Sequence, residues 1–195
     1  MRISEDTQNK IFKFCTFVLL GMFFAFAGWL QETIYCSVKA GEFVGRGFLH
    51  LPFCPIYGFT ILIMYWLIGT PESGGVLLKK LTKKPLRYFI YFIIAVIVPS
   101  AAELATGLFY EKVFGVVLWS YATYKFNLFG YICLRISLTW GVLITLAMGV
   151  IFPLVRKLIE RMHFVPATII SSTLSVAVLT DLAVSSVQAL MAAAG

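Results

Sequence analysis

GWLQETIYCSVKAGEFVGRGFLHLPFCPIYG, residues Gly28 to Gly58, lies between two long apolar runs and gathers what those runs lack: Glu32, Tyr35, Cys36, Glu42, Arg46, Cys54 and Tyr57, with Gly41, Gly45 and Gly47 around the arginine. Glycine weakens helix and strand alike, and buried charge is costly unless paired. Such a density of both is hard to assign to packing alone. The stretch therefore reads as the place where function sits, and the apolar runs that flank it decide the fold.

Of the 195 residues 60% are hydrophobic and only 13% charged, whereas a soluble domain is nearer half apolar and about a quarter charged. The composition predicts one integral membrane domain over residues 1–195, an all-α polytopic helix bundle. A helix crosses the hydrocarbon core with about 20 apolar residues. Five segments qualify: Ile11–Tyr35, Leu51–Thr70, Leu86–Tyr110, Gly130–Val155 and Val165–Ala193. Met1–Lys10 is mixed in charge and the first run is long enough to stay in the bilayer, so a cleavable signal is not expected.

The net charge of +7 does not point to nucleic acid, because the basic residues sit in short connections between apolar runs and not in an aromatic-basic surface patch. The partner they imply is the lipid bilayer. Arg2, Lys10 and Lys13 precede the first run, Lys79, Lys80, Lys83, Lys84 and Arg87 separate the second from the third, and Arg156, Lys157 and Arg161 separate the fourth from the fifth. Lys39, Arg46, Lys112, Lys125 and Arg135 fall on the other side. Positive residues stay preferentially on the cytoplasmic side, which places the N-terminus in the cytoplasm and the C-terminus outside.

In this topology the connections Cys36–His50 and Glu111–Phe129 face outward, each containing glycine and aromatics and each following a helix that carries a glutamate. Glu32 precedes Tyr35, Arg46 and Cys54; Glu103 precedes Thr106, Asn127 and Cys133. A parallel internal duplication would explain the arrangement, although the identities match poorly. Gly21, Ala25, Gly28, Glu32 and Tyr35 recur at three- and four-residue steps along one helical face, as do Pro99, Glu103, Thr106, Gly107 and Tyr110. A carboxylate within a span costs about 2.5–3.5 kcal/mol on insertion scales, so these faces should turn toward protein or water. Asp181 belongs to a third polar face with Thr168, Ser171, Ser175, Ser185 and Gln188. Glu103 and Asp181 each come out about 24 Å from the cytoplasmic ends of their helices, and Glu32 a little further. The expectation is an outward polar cavity lined by Glu32, Glu103 and Asp181, with Arg46 and Arg135 as counter-charges. Gly41, Gly45 and Gly47 would let the first connection re-enter the membrane. Trp119, Tyr121, Tyr124, Phe126 and Phe129 fit either an interfacial belt or a cover over a ligand.

No metal site and no cofactor site is written in the sequence. Cys15, Cys36, Cys54 and Cys133 lack a close paired spacing, and His50 and His163 are expected on opposite sides of the membrane. Whether Cys54 and Cys133 pair in a disulfide stays open. Gly74–Gly75 before Lys79–Lys80 lacks the glycine-lysine-hydroxyl end of a phosphate loop, and there is no Gly-x-Ser-x-Gly elbow. Carboxylate chemistry by Glu32 and Glu103 is still compatible with the residues.

The opening stretch, with SAAELATGLFYEKVFGVVLWSYATYKFNLFGYICLRISLTWG at Ser100–Gly141, resembles the bacterial multi-pass ABC-transporter permease family of the CmpB-like type IV group. The likeness covers most of residues 20–150. The family pattern has asparagine before its arginine-glycine-phenylalanine and aspartate after its later tryptophan, where this chain has Gly45 and Ser120; Glu32, Tyr35, Arg46, Tyr57, Glu103, Trp119, Tyr121 and Asn127 match. The resemblance implies a transport component in the bacterial cytoplasmic membrane, working with a separate ATPase or another membrane subunit or as a homo-oligomer. Two other classes use the same residues: an integral-membrane enzyme acting on lipid or cell-envelope substrates, and a non-transporting membrane subunit. Tyr35, Tyr57, Thr106, Trp119, Tyr121, Asn127 and Arg135 join Glu32, Arg46, Glu103 and Asp181 as candidate substrate contacts.

Overall fold

The computed structural model describes residues 4–194; Arg2, one of the basic residues counted toward the orientation, lies outside them. Helix α1, Glu5–Ala40, starts where the Ser4 hydroxyl accepts the Thr7 N–H and where Glu5 and Asp6 favour the positive end of the helix dipole. It ends at Gly41, whose φ of 76° suits only a residue without a side chain and lets its N–H cap the Ser37 carbonyl at 2.9 Å. At 36 residues it is about 54 Å long, well beyond the ~30 Å hydrocarbon core.

The next connection does not simply cross over; it descends along α1. Val44 donates its N–H to Ser37 Oγ at 2.9 Å, and Cys54 donates its N–H to the Ala25 carbonyl at 3.0 Å. Ala25 lies about 22 Å back from Ala40 at 1.5 Å per residue. Residues 41–54 therefore form a re-entrant segment, which a membrane protein accepts where neighbouring protein satisfies the backbone. Helix α2, Pro55–Ile68, opens at that depth and stops at Gly69, whose φ is 70°. Its 14 residues give about 21 Å, so the second expected span, Leu51–Thr70, is a shorter helix because the loop has already covered part of the distance.

Among the described residues, four helices are long and apolar enough to cross a membrane: Glu5–Ala40, Lys84–Phe114, Leu134–Glu160 and Phe164–Ala192. With α2 they make the all-α multi-pass bundle read from the composition. The described residues form two compact units, residues 4–59 with 152–185 and residues 60–151 with 186–194.

In the first unit α1 packs on α6, Phe152–Glu160, through Phe24 and Phe152, whose rings stack with centroids 6.0 Å apart. Gly21 and Gly58 bring the backbones of α1 and α2 together so closely that a Cβ on Gly58 would strike the Gly21 carbonyl. Small residues permit the close approach that packing inside a bilayer requires. Helix α7, Phe164–Ala194, is joined to α1 by a Cys15 thiol to Thr168 hydroxyl contact of 3.8 Å.

The second unit holds the short α3, Gly75–Leu78, and is built on α4, Lys84–Phe114, packed against α5, Leu134–Leu146. Ser100 and Ser137 share a 2.7 Å hydrogen bond across that seam, and Gly141 seats Phe92 and Val96. A π-helical turn, Ala147–Ile151, follows α5 and re-phases the helix that continues into α6. The strands β1, Asn127–Leu128, and β2, Ile132–Cys133, pair antiparallel with Asn127 opposite Cys133. Pro99 is buried within α4, one turn before Glu103.

Candidate functional site

The re-entrant loop of the first unit returns to α1 just where Glu32 projects. Tyr57, in the first turn of α2, lays its ring on Gly28, where a Cβ would collide with the ring, and donates its hydroxyl to Glu32 Oε1. The other carboxylate oxygen, Oε2, lies 3.5 Å from Arg46 Nε, and both side chains are partly buried. A single carboxylate thus meets a guanidinium from the loop and a phenol from the following helix. Of the candidate residues named from the sequence, the structure brings Glu32, Arg46 and Tyr57 together here.

Asp181, on α7, belongs to a separate group in the same unit. Its Oδ1 lies 2.8 Å from His50 Nδ1 and its Oδ2 accepts the Leu51 N–H at 2.8 Å, so two neighbouring loop residues are held by one carboxylate. The Asp181 side chain is only 10% exposed while that of His50 is 60% exposed. Ser185 Oγ also sits at His50 Nδ1, at 3.1 Å. A hydrolytic triad places the aspartate on one ring nitrogen and the serine on the other. Here both meet Nδ1, and the arrangement ties the loop to α7.

In the second unit Glu103 is 8% exposed, and its Oε1 accepts the Trp140 indole N–H at 3.0 Å and the Tyr121 hydroxyl at 3.4 Å. Two turns on, Glu111 accepts the hydroxyl of Tyr131, whose ring lies on Gly107 with its Cδ1 2.7 Å from where a Cβ would stand. That hydrogen bond to Glu111 holds the Tyr131 phenol above its ordinary range, with desolvation and the carboxylate charge adding to the effect. Gly107 and Glu111 stand to Tyr131 as Gly28 and Glu32 stand to Tyr57.

The remaining expected site residues divide by what they touch. Trp119 donates its indole N–H to the Tyr131 carbonyl at 2.9 Å and braces the loop between α4 and α5. Asn127 spends its amide on that loop, donating to the Ala122 and Tyr124 carbonyls at 3.3 and 2.8 Å and accepting the Gly130 N–H at 3.1 Å. Thr106 is half-buried on α4. Tyr35, expected on the Glu32 face, is 63% exposed and lines a groove with Leu30, Ile34 and Val38. Arg135, expected as a counter-charge to the acids, has no acidic partner among the described residues and lines a surface cleft with Lys125. All four cysteines are free thiols.

Four participants were not singled out from the sequence: His50, Glu111, Tyr131 and Trp140. The spacing Gly-x-x-x-Glu at Gly28–Glu32 and again at Gly107–Glu111 is the signal that could have found the second tyrosine site.

Residues 19–186 match the family described as "Putative ABC-transporter type IV". No curated protein and no solved structure matches the chain.

Proposed function

The chain belongs to this type IV ABC-transporter family, and from that membership we propose that it is the membrane-embedded permease component of a transport system whose ATPase is a separate subunit. The observation that carries the reading is Glu103, a carboxylate kept at 8% exposure in an apolar helix pair by donors from two different segments, Trp140 and Tyr121. Ionisable groups inside membrane helices are expensive and mark solute or ion pathways by default. In the other unit Glu32 with Arg46 and Tyr57 offers a carboxylate, a fork of N–H donors and a hydroxyl, a set suited to a polar or zwitterionic solute. Asp181 holds the re-entrant loop on which Arg46 rides.

The proposed setting is a bacterial cytoplasmic membrane with the N-terminus inside, supported by the gathering of Lys and Arg in the first turns of α1 (Lys10, Lys13), from the end of α3 into the first turn of α4 (Lys79, Lys80, Lys83, Lys84, Arg87) and at the end of α6 (Arg156, Lys157, Arg161). Gentle-detergent purification from native membranes tests the assignment. The expected result is a complex with an ATPase subunit in fixed ratio, whose hydrolysis rate falls when Glu103→Gln or Glu32→Gln is introduced. A chain that purifies without any nucleotide hydrolase and itself turns over a lipid or envelope substrate would overturn it in favour of the enzyme reading.

A further inference from the structure

We propose that the surface cleft between the α4–α5 loop of the second unit and the start of α5 binds an anionic phospholipid, its phosphate held by Lys125 and Arg135. The cleft has a volume of 560 Å³, and its charged lining residues are these two alone, both basic and both exposed. Neither has an acidic partner among the described residues. Leu134 and Leu138, one helical turn apart on α5, form the apolar wall, and Phe126 closes the other side. Basic groups beside an apolar, aromatic-rimmed trough match a lipid phosphate with its acyl chain better than a free anion, which has no use for the trough.

A second observation, independent of the cleft, concerns the loop itself. Phe126 and Phe129 adopt left-handed φ values of 55° and 53°, a conformation that bulky residues avoid. They are also 81% and 80% exposed. Strained backbone persists where the surroundings over-determine it, and here the Asn127 amide does so by holding the Ala122 and Tyr124 carbonyls and the Gly130 N–H at once. The loop is thus fixed in a form that holds two phenylalanine rings outward beside the cationic cleft. Aromatic rings at headgroup level with Lys and Arg next to them form an interfacial anchor, and the cleft gives that anchor one defined lipid to hold.

The test is native mass spectrometry of the full chain in detergent, titrated with phosphatidylglycerol, phosphatidylcholine or inorganic phosphate. The parent protein should retain phosphatidylglycerol in preference to phosphatidylcholine, and inorganic phosphate should not displace it. Lys125→Gln and Arg135→Gln should each weaken that retention about fivefold, and the double variant about thirtyfold, while phosphatidylcholine retention is unchanged. Lys125→Arg with Arg135→Lys should keep it. Equal retention of the two lipids by the parent, an undiminished preference in K125Q/R135Q, or displacement by inorganic phosphate would each overturn the proposal. Should the double variant fail to fold, the parent's lipid preference and its resistance to phosphate decide the question.

Discussion

The two units solve one steric problem in the same way and then use it differently. In each, a tyrosine lies flat on a helix glycine and gives its hydroxyl to the glutamate one turn further along: Tyr57 on Gly28 with Glu32, and Tyr131 on Gly107 with Glu111. The glycine makes room for the ring, and the acid supplies the acceptor a tyrosine hydroxyl needs away from water. In the first unit that same glutamate also faces Arg46, so the structural clasp and the charged group are one residue. In the second they are separate, for Glu111 takes the tyrosine near the helix end and Glu103, two turns deeper, takes Trp140 and Tyr121. Clasp and buried carboxylate are therefore different residues in the second unit, where the role proposed for the carboxylate can be tested apart from the clasp.

The largest expected effect is on the glycines, and it is unequal. A Cβ on Gly28 meets three atoms of Tyr57, including its Cβ and Cγ, which cannot swing away, while one on Gly107 meets chiefly the Tyr131 Cδ1. Gly28→Ala should cost about 3 kcal/mol and Gly107→Ala about 1 kcal/mol, read as thermal unfolding in detergent. Equal costs would mean that the two tyrosine seats are the same. Next comes the hydroxyl. Tyr57→Phe should cost about 2 kcal/mol, because it removes a hydrogen bond to a carboxylate that also carries an ion pair.

Tyr131→Phe should matter less, and it adds a pH signature. The folded chain holds the Tyr131 proton more tightly than the unfolded chain does, so the bond to Glu111 contributes fully below about pH 10 and is lost as pH climbs through the raised value. An alkaline unfolding profile that loses this component in Tyr131→Phe supports the assignment; an identical profile refutes it. The smallest structural effect belongs to Arg46→Lys, below about 1 kcal/mol for a partly exposed pair, yet transport should weaken because lysine lacks the planar fork.

How much of this could be read from the residues follows from the physics of each feature. Apolar runs near the length of a bilayer announce themselves, and all four long spans lie where hydropathy put them. The stretch Gly28–Gly58 stands out in the sequence because charge and glycine are both costly among apolar helices, and in the structure its Glu32, Arg46 and Tyr57 meet. The depth of the re-entrant loop was not legible, since it depends on one backbone bond from Cys54 to Ala25 that no side chain signals. His50 stands in the sequence as a lone histidine, and only the fold brings it to Asp181 from far along the chain. Charge alone pairs Glu32 with Glu103, whereas the glycine one turn before each clasp makes Glu111 the steric counterpart of Glu32.

Glu103 is the residue on which the transport reading depends, as a working group and not a structural one. Glutamine keeps the side-chain shape and an oxygen that can accept from Trp140 and Tyr121, and it removes only the charge. The decisive measurement is thermal stability of Glu103→Gln in detergent beside complementation of a deletion strain. The expected result is stability within about 1 kcal/mol of the parent with function abolished. Full complementation, or folding and function lost together, would contradict it.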